Sequence, residues 1–186
     1  MEFKNHFNLE GKHAPFSASS PYWLKYDDEK LINTYSNMKR KELGTQLHEW
    51  AKTTIDLGIK QPRSSKNTLY AYVNDAIGYK MSTEVVLFYS ENFFGTADSI
   101  SFRNNFLRIH DLKTGSTAVH VEQLYIYAAL FCLEYNVDPY KIQIELRIYQ
   151  NPEVQVYTPD PKDIRGIMDS IVHYDTVITK YNRKEV

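Results

Sequence analysis

Residues 93–115 read FFGTADSISFRNNFLRIHDLKTG, and the fold turns on how that stretch divides. Residues 93–102 and 106–112 are rich in β-branched and aromatic side chains, with Arg103-Asn104-Asn105 between them. Asn-Asn suits a tight hairpin turn because asparagine tolerates positive φ, so the stretch predicts two antiparallel strands. Residues 81–89 have the same chemistry and supply a third strand ahead of the hairpin.

Helical periods lie on both sides. Upstream, from about Asp27 to Leu57, Leu43, Leu47 and Trp50 recur at spacings of four and three, with Leu57 seven further on. Residues 56–66 carry Gly58, Pro62 and two serines and read as a loop, and 68–79 suit a further short helix. Downstream of Thr114-Gly115-Ser116, the spacing of Val119, Gln123, Tyr127 and Leu130 predicts a helix to about Tyr135, which Asp138-Pro139 ends. Ile142, Ile144, Leu146 and Ile148 then alternate as in a half-buried strand, and residues 153–157 are placed to pair with it. A last helix follows over about 161–181, with Ile164, Ile167, Met168, Ile171 and Val172 on one side. Residues 1–20 read as an extended or weakly ordered lead-in. The order implies an α/β domain over 1–186, a central mixed sheet flanked by helices, with the motif-bearing core at about 42–150.

Composition narrows the function classes. A chain of 186 residues can bury roughly two-thirds of its unfolded surface in one core. Its 42% hydrophobic and 24% charged content argues against disorder, coiled coil and collagen. The formal charge of -1 means that any nucleic-acid surface must be a local patch. Charge is uneven, at 11 Lys/Arg against 8 Asp/Glu over residues 1–66 and 6 against 9 over 67–150. A single cysteine, Cys132, excludes an intramolecular disulfide, a four-thiolate zinc site and a cysteine-ligated iron–sulfur cluster within one chain. No apolar run has the length of a signal peptide core or a membrane span, so the expected setting is cytoplasmic and no membrane partner is expected.

The candidate chemistry centres on Asp98, after Gly95, and on Asp111-Leu112-Lys113-Thr114-Gly115. Two carboxylates at the ends of adjacent strands converge on one side of a sheet, and hard oxygen ligands suit Mg²⁺ or Mn²⁺. In Asp111-x-Lys113 the period of two sends both side chains to one face and His110 to the other. A lysine there can orient an attacking water while the metal stabilises phosphoryl charge, as phosphodiester hydrolysis requires. The tripeptide itself is unspecific, since Asp28-x-Lys30 and Asp160-x-Lys162 also occur. Gln123 and Tyr127 share a helical face just downstream, in the one Gln-x-x-x-Tyr of the chain. Upstream, Gly44-Thr45-x-x-His48-Glu49 lies on the first helix beside Lys39-Arg40-Lys41. His6, His13, His110, His120 and His173 lack metal-ligand spacing and are read as structural.

In order and spacing, these pieces together resemble the RecB-like, Cas4-like branch of the PD-(D/E)XK nuclease superfamily, over about residues 42–130. The resemblance implies a restriction-endonuclease-like core and a divalent-metal-dependent deoxyribonuclease. It implies Asp98, Asp111 and Lys113 as catalytic residues, with Lys113 positioning the attacking water. Metal ligands would be His48, Asp98, Asp111 and the backbone carbonyl of Leu112, holding one or two Mg²⁺ or Mn²⁺ ions. Gln123 and Tyr127 would contact DNA phosphate or brace the lysine, and Glu49 and Glu84 would reach the metal through water. The single cysteine departs from the cluster-bearing members, so the chain resembles compact, phage-encoded exonucleases without an iron–sulfur cluster.

The expected activity is an exonuclease on linear or single-stranded DNA, of the kind used in phage recombination or replication, in the host cytoplasm. The alternatives are a catalytically silent nucleic-acid-binding or assembly module on the same fold, a structure-specific endonuclease, and hydrolysis of RNA or a nucleotide. A homo-oligomer and a recombination partner protein remain open.

Overall fold

In a computed structural model, which describes residues 4–63, 67–115 and 120–183, the hairpin forms where the two asparagines stand. Asn104 and Asn105 both have positive φ, at 53° and 58°, and Arg103 pairs with Phe106 across them. The flanking strands are β2 (Phe93–Arg103) and β3 (Phe106–Lys113), and β1 (Ser82–Ser90) pairs antiparallel with β2. From β3 the chain crosses through helix α3 (Glu122–Glu134) to β4 (Gln143–Gln150), which lies parallel to β3, and β5 (Glu153–Tyr157) closes the order antiparallel to β4. The result is a five-stranded mixed sheet in the order β1-β2-β3-β4-β5. Its one parallel pair is the one that a helix connects, as a crossover requires. Ser116, ahead of the expected helix, and Val119, at its start, lie outside the described residues, as do Ser64, Ser65 and Lys66 of the predicted loop.

The chain divides into two compact units, Met1–Gln46 and Leu47–Val186, the division falling within helix α1 (Asp28–Asp56). In the first unit the described part of the lead-in holds one short 3-10 turn, Phe7–Leu9, and a second, Pro21–Lys25, follows it. The Phe16 ring lies 6.5 Å from Tyr35 and 6.4 Å from Trp23, whose indole N–H donates to the Ser17 carbonyl at 3.0 Å.

The second unit carries the sheet and the core. Leu107, Ile109, Leu146 and Ile148 point from β3 and β4 into one cluster with Leu124, Ala128 and Leu130 of α3. Helix α4 (Pro161–Asn182) closes that side through Ile164, Met168 and Ile171, at spacings of four and three. Pro161 opens α4 and the Asp160 carboxylate caps it by accepting from the Lys162 amide at 2.8 Å. On the opposite face helix α2 (Thr68–Gly78) packs Tyr72, Val73 and Ala76 against Leu112 and Tyr149, with Ala51 and Ile55 of α1 in the same cluster. His110 turns to this face, as the alternation along β3 requires. It lies edge-on to Tyr79, and its Nδ1 is 3.3 Å from the Tyr149 hydroxyl. Burial, with Arg147 and Arg108 nearby, pushes the His110 imidazole down to about 3, so it sits there neutral. Among the described residues no helix is long and apolar enough to cross a membrane.

Candidate metal centre

The site forms where β2 and β3 stop pairing. Backbone partners run from Arg103 and Phe106 at the hairpin to Ser99 and His110, and Asp98 is the next residue along. Asp98 therefore stands in the middle of β2 rather than at a strand end, which corrects the sequence reading. At that point its side chain replaces the ladder: Asp98 Oδ2 accepts from the Leu112 backbone N–H at 2.8 Å. The bond holds the carboxylate beside β3, so Asp98 and Asp111 converge on the break in pairing.

The two carboxylates are costly neighbours. Asp111 is 3% exposed, so it is no surface ion-pair member. Burial first, and the Asp111 charge second, push the Asp98 carboxyl up to about 6; the Leu112 N–H and His48 act in the opposite direction. Lys113 offsets part of the charge. Its Nζ donates to Asp111 Oδ1 at 3.1 Å and lies 2.9 Å from Oδ2, but off the direction of a hydrogen bond. Asp111 Oδ2 is thus a buried oxygen that accepts no hydrogen bond.

A second group adjoins the first. His48 of α1 puts Nδ1 3.6 Å from Asp98 Oδ2. One ligand atom each from His48, Glu84 and Asp98 lies within 4.8 Å of the others. Glu84 sits in β1 between the pairs Thr83–Ser99 and Val85–Ala97, which places it across from Asp98. Its backbone has φ of 50°, a left-handed conformation that costs a non-glycine residue roughly 1–3 kcal/mol and clusters at functional sites. Glu49 is exposed and is not brought into this group; one residue beyond His48, it points about 100° round the helix.

Lys113 is held from the other side by α3. Its ammonium donates to Gln123 Oε1 at 3.0 Å, and Gln123 Nε2 donates to the Tyr127 hydroxyl at 2.8 Å. Gln123 thus touches the lysine directly, and Tyr127 touches it through Gln123. The chain of contacts also explains Gly95. A Cβ added there would come 2.8 Å from Tyr127 Cε1, so only glycine lets the tyrosine ring lie against β2.

These side chains open on a cleft of about 450 Å³, lined by His48, Asp98, Asp111, Leu112, Lys113, Gln123 and Tyr127. Thr96, Thr114, Gly115, His120 and Gln150 complete its wall. The sequence reading passed over Gln150 and took His120 as structural. Gln150 faces Lys113 across the parallel register and donates to the Gly115 carbonyl at 2.7 Å. Such a pairing 37 residues apart has no local signature. His120 reaches the rim as an exposed side chain, 3.9 Å from Glu122.

The residues present fit a hard divalent cation. Asp98 and Glu84 offer oxygens and His48 a nitrogen within 4.8 Å of one another, and Asp111 adds a buried carboxylate beside Asp98 on the cleft wall. Oxygen-rich donor sets with an added imidazole suit Mg²⁺ and Mn²⁺ better than softer metals. No protein-family model matches the chain, and neither a curated protein nor a solved structure matches it.

Proposed function

We propose that the chain is a divalent-metal-dependent deoxyribonuclease of the PD-(D/E)XK type, acting as an exonuclease on linear or single-stranded DNA. The observation that carries this reading is the meeting of Asp98 and Asp111 at the break between β2 and β3, with the Lys113 ammonium fixed beside them. The preference for DNA ends is supported by the motif resemblance alone.

Asp98 and Asp111 would hold the ion, with His48 and Glu84 next to it. Bound there, Mg²⁺ or Mn²⁺ would supply Lewis-acid stabilisation of charge on a phosphoryl oxygen and favour ionisation of water. The chain's own groups do the positioning. Lys113 has two of its donors taken, by Asp111 and Gln123, which leaves one N–H to orient a water or a phosphate oxygen. Gln123 and Tyr127 fix the direction of that N–H, because α3 and β2 clamp the Tyr127 ring. The polar wall of the cleft, including Thr96, Thr114 and Gln150, suits a charged ligand.

The test incubates the protein with end-labelled linear duplex, single-stranded DNA and closed circular plasmid in Mg²⁺, Mn²⁺ or EDTA, with Lys113→Ala as the control for contaminating nuclease. Loss of linear DNA that needs metal and spares the circle is the expected result. Nicking of the circle makes the enzyme an endonuclease. Absence of cleavage with every metal and substrate overturns the reading.

A further inference from the structure

The sheet face that α2 covers carries a groove along that helix, whose lining shares no residue with the cleft. On β3, Leu107 and Ile109 enter the cluster under α3, whereas Arg108 and His110 meet Tyr79 at the end of α2. Two concavities join there, both lined by Gly78 and Tyr79. One, of about 430 Å³, holds Arg63 and Tyr70. The other, of about 410 Å³, lies at the hairpin end with Lys80, Arg103 and Arg108.

The charges of the groove are unbalanced. Arg63, Lys80 and Arg103 are exposed, and no described residue gives any of them an acidic partner. Arg108 stacks its guanidinium 3.7 Å from the Phe106 ring centre and 4.4 Å from that of Tyr79. Its Nε is buried without a hydrogen bond, 3.4 Å from Glu145. The acidic groups alongside, Asp75 and Glu145, are both engaged by Arg147, at 2.9 and 3.0 Å. Cations therefore stand free at both ends. Beside Arg63, Tyr70 presents a half-buried ring, 6.1 Å from the partly exposed Trp50, and Tyr79 stands where the two concavities meet.

Spaced cations along an open groove, with aromatic faces between, match a phosphodiester backbone and its bases rather than a compact metabolite. We propose that this groove binds a single-stranded stretch of nucleic acid away from the cleavage site, with phosphates on Arg63, Lys80 and Arg103 and a base against Tyr70. The inference deepens the proposed nuclease, and the identification of the strand as DNA rests on that reading; holding a strand needs no hydrolysis.

Gly78 provides a clean probe. It ends α2 at the junction of the two concavities, its φ is outside the left-handed region, and an added Cβ meets nothing within 4 Å. Gly78→Glu therefore adds a carboxylate at this junction with no clash at its Cβ. Binding of a labelled oligodeoxythymidylate is read by anisotropy in EDTA, where metal-dependent cutting is off. Gly78→Glu should weaken it about tenfold or more, and Gly78→Ala should bind as wild type. Lys80→Asn suits the positive φ of 52° at that position. Combined with Arg103→Ala, it should flatten the dependence of log K on log salt by about 1.4, since each phosphate contact on a single strand contributes roughly 0.7.

Wild-type affinity in Gly78→Glu and in Lys80→Asn/Arg103→Ala overturns the proposal. So does a wild-type protein that fails to bind the oligonucleotide at low salt, or thymidine monophosphate competing as well as the polymer. Cleavage in Mn²⁺ is measured in parallel. Groove variants that lose binding when no protein cuts would sink the nuclease reading and keep the groove. Unchanged binding with active cleavage would sink the groove alone.

Discussion

Asp98→Asn in the metal-free protein should make the fold more stable, and the size follows from the site. The carboxyl is pushed from 3.8 up to about 6, chiefly by burial and then by Asp111. Below about pH 3.8 the acid is protonated both folded and unfolded, so it carries no ionisation penalty. As pH rises the unfolded chain ionises first, and stability falls until the folded carboxyl has ionised above about 6. At ~1.36 kcal/mol per pH unit, the full loss is about 3 kcal/mol. Asparagine keeps an oxygen for the Leu112 N–H but carries no charge. Urea unfolding in EDTA from pH 4 to 8 should therefore show wild type losing stability on the order of 3 kcal/mol that Asp98→Asn retains. Adding Mn²⁺ at pH 8 should reverse the order, because only the carboxylate gains from the cation. An Asp98→Asn protein that is less stable than wild type at pH 8 in EDTA, or that shows the same pH slope, would refute the account of two crowded carboxylates.

Other residues give separate checks. Gly95→Ala drives a methyl into Tyr127 and should cut cleavage about tenfold or more while circular dichroism stays near wild type; full activity would mean that the Tyr127–Gln123–Lys113 chain does not position the lysine. Lys113→Ala should lower cleavage by on the order of 10²-fold or more with Mn²⁺ binding retained by calorimetry, whereas Asp111→Asn should lose both. Asp111 is buried, so its variant needs a folding control that an exposed strand end would not. Tyr149→Phe removes the donor to Asp75 at 2.7 Å and the partner of His110, and should cost about 1–3 kcal/mol in urea unfolding. A change below ~0.5 kcal/mol would show that the network is not strongly coupled to stability.

Much of this protein was legible in one dimension, because the signals were local. The alternation in 142–148, the Asn104-Asn105 turn, and the switch to helical spacing after Gly115 depend on near neighbours. They fixed the strands, the hairpin and the helix order to within a few residues. Asp111 and Lys113 on one face with His110 on the other followed from the same period of two. Tertiary structure alone decided what those residues do to each other. It ended the β2–β3 ladder at Ser99, put the Asp98 carboxylate on the Leu112 amide, and raised its proton affinity by burying it beside Asp111. It turned Glu84 toward His48 through a left-handed backbone, left Glu49 outside, and brought Gln150 to the cleft across a parallel register. The role of Gly95 belongs here too, since the ring that excludes a side chain comes from a helix 32 residues away. Periodicity sets which way a side chain points along its own element. Charge, burial and close approach depend on which elements meet, and the packed core decides that.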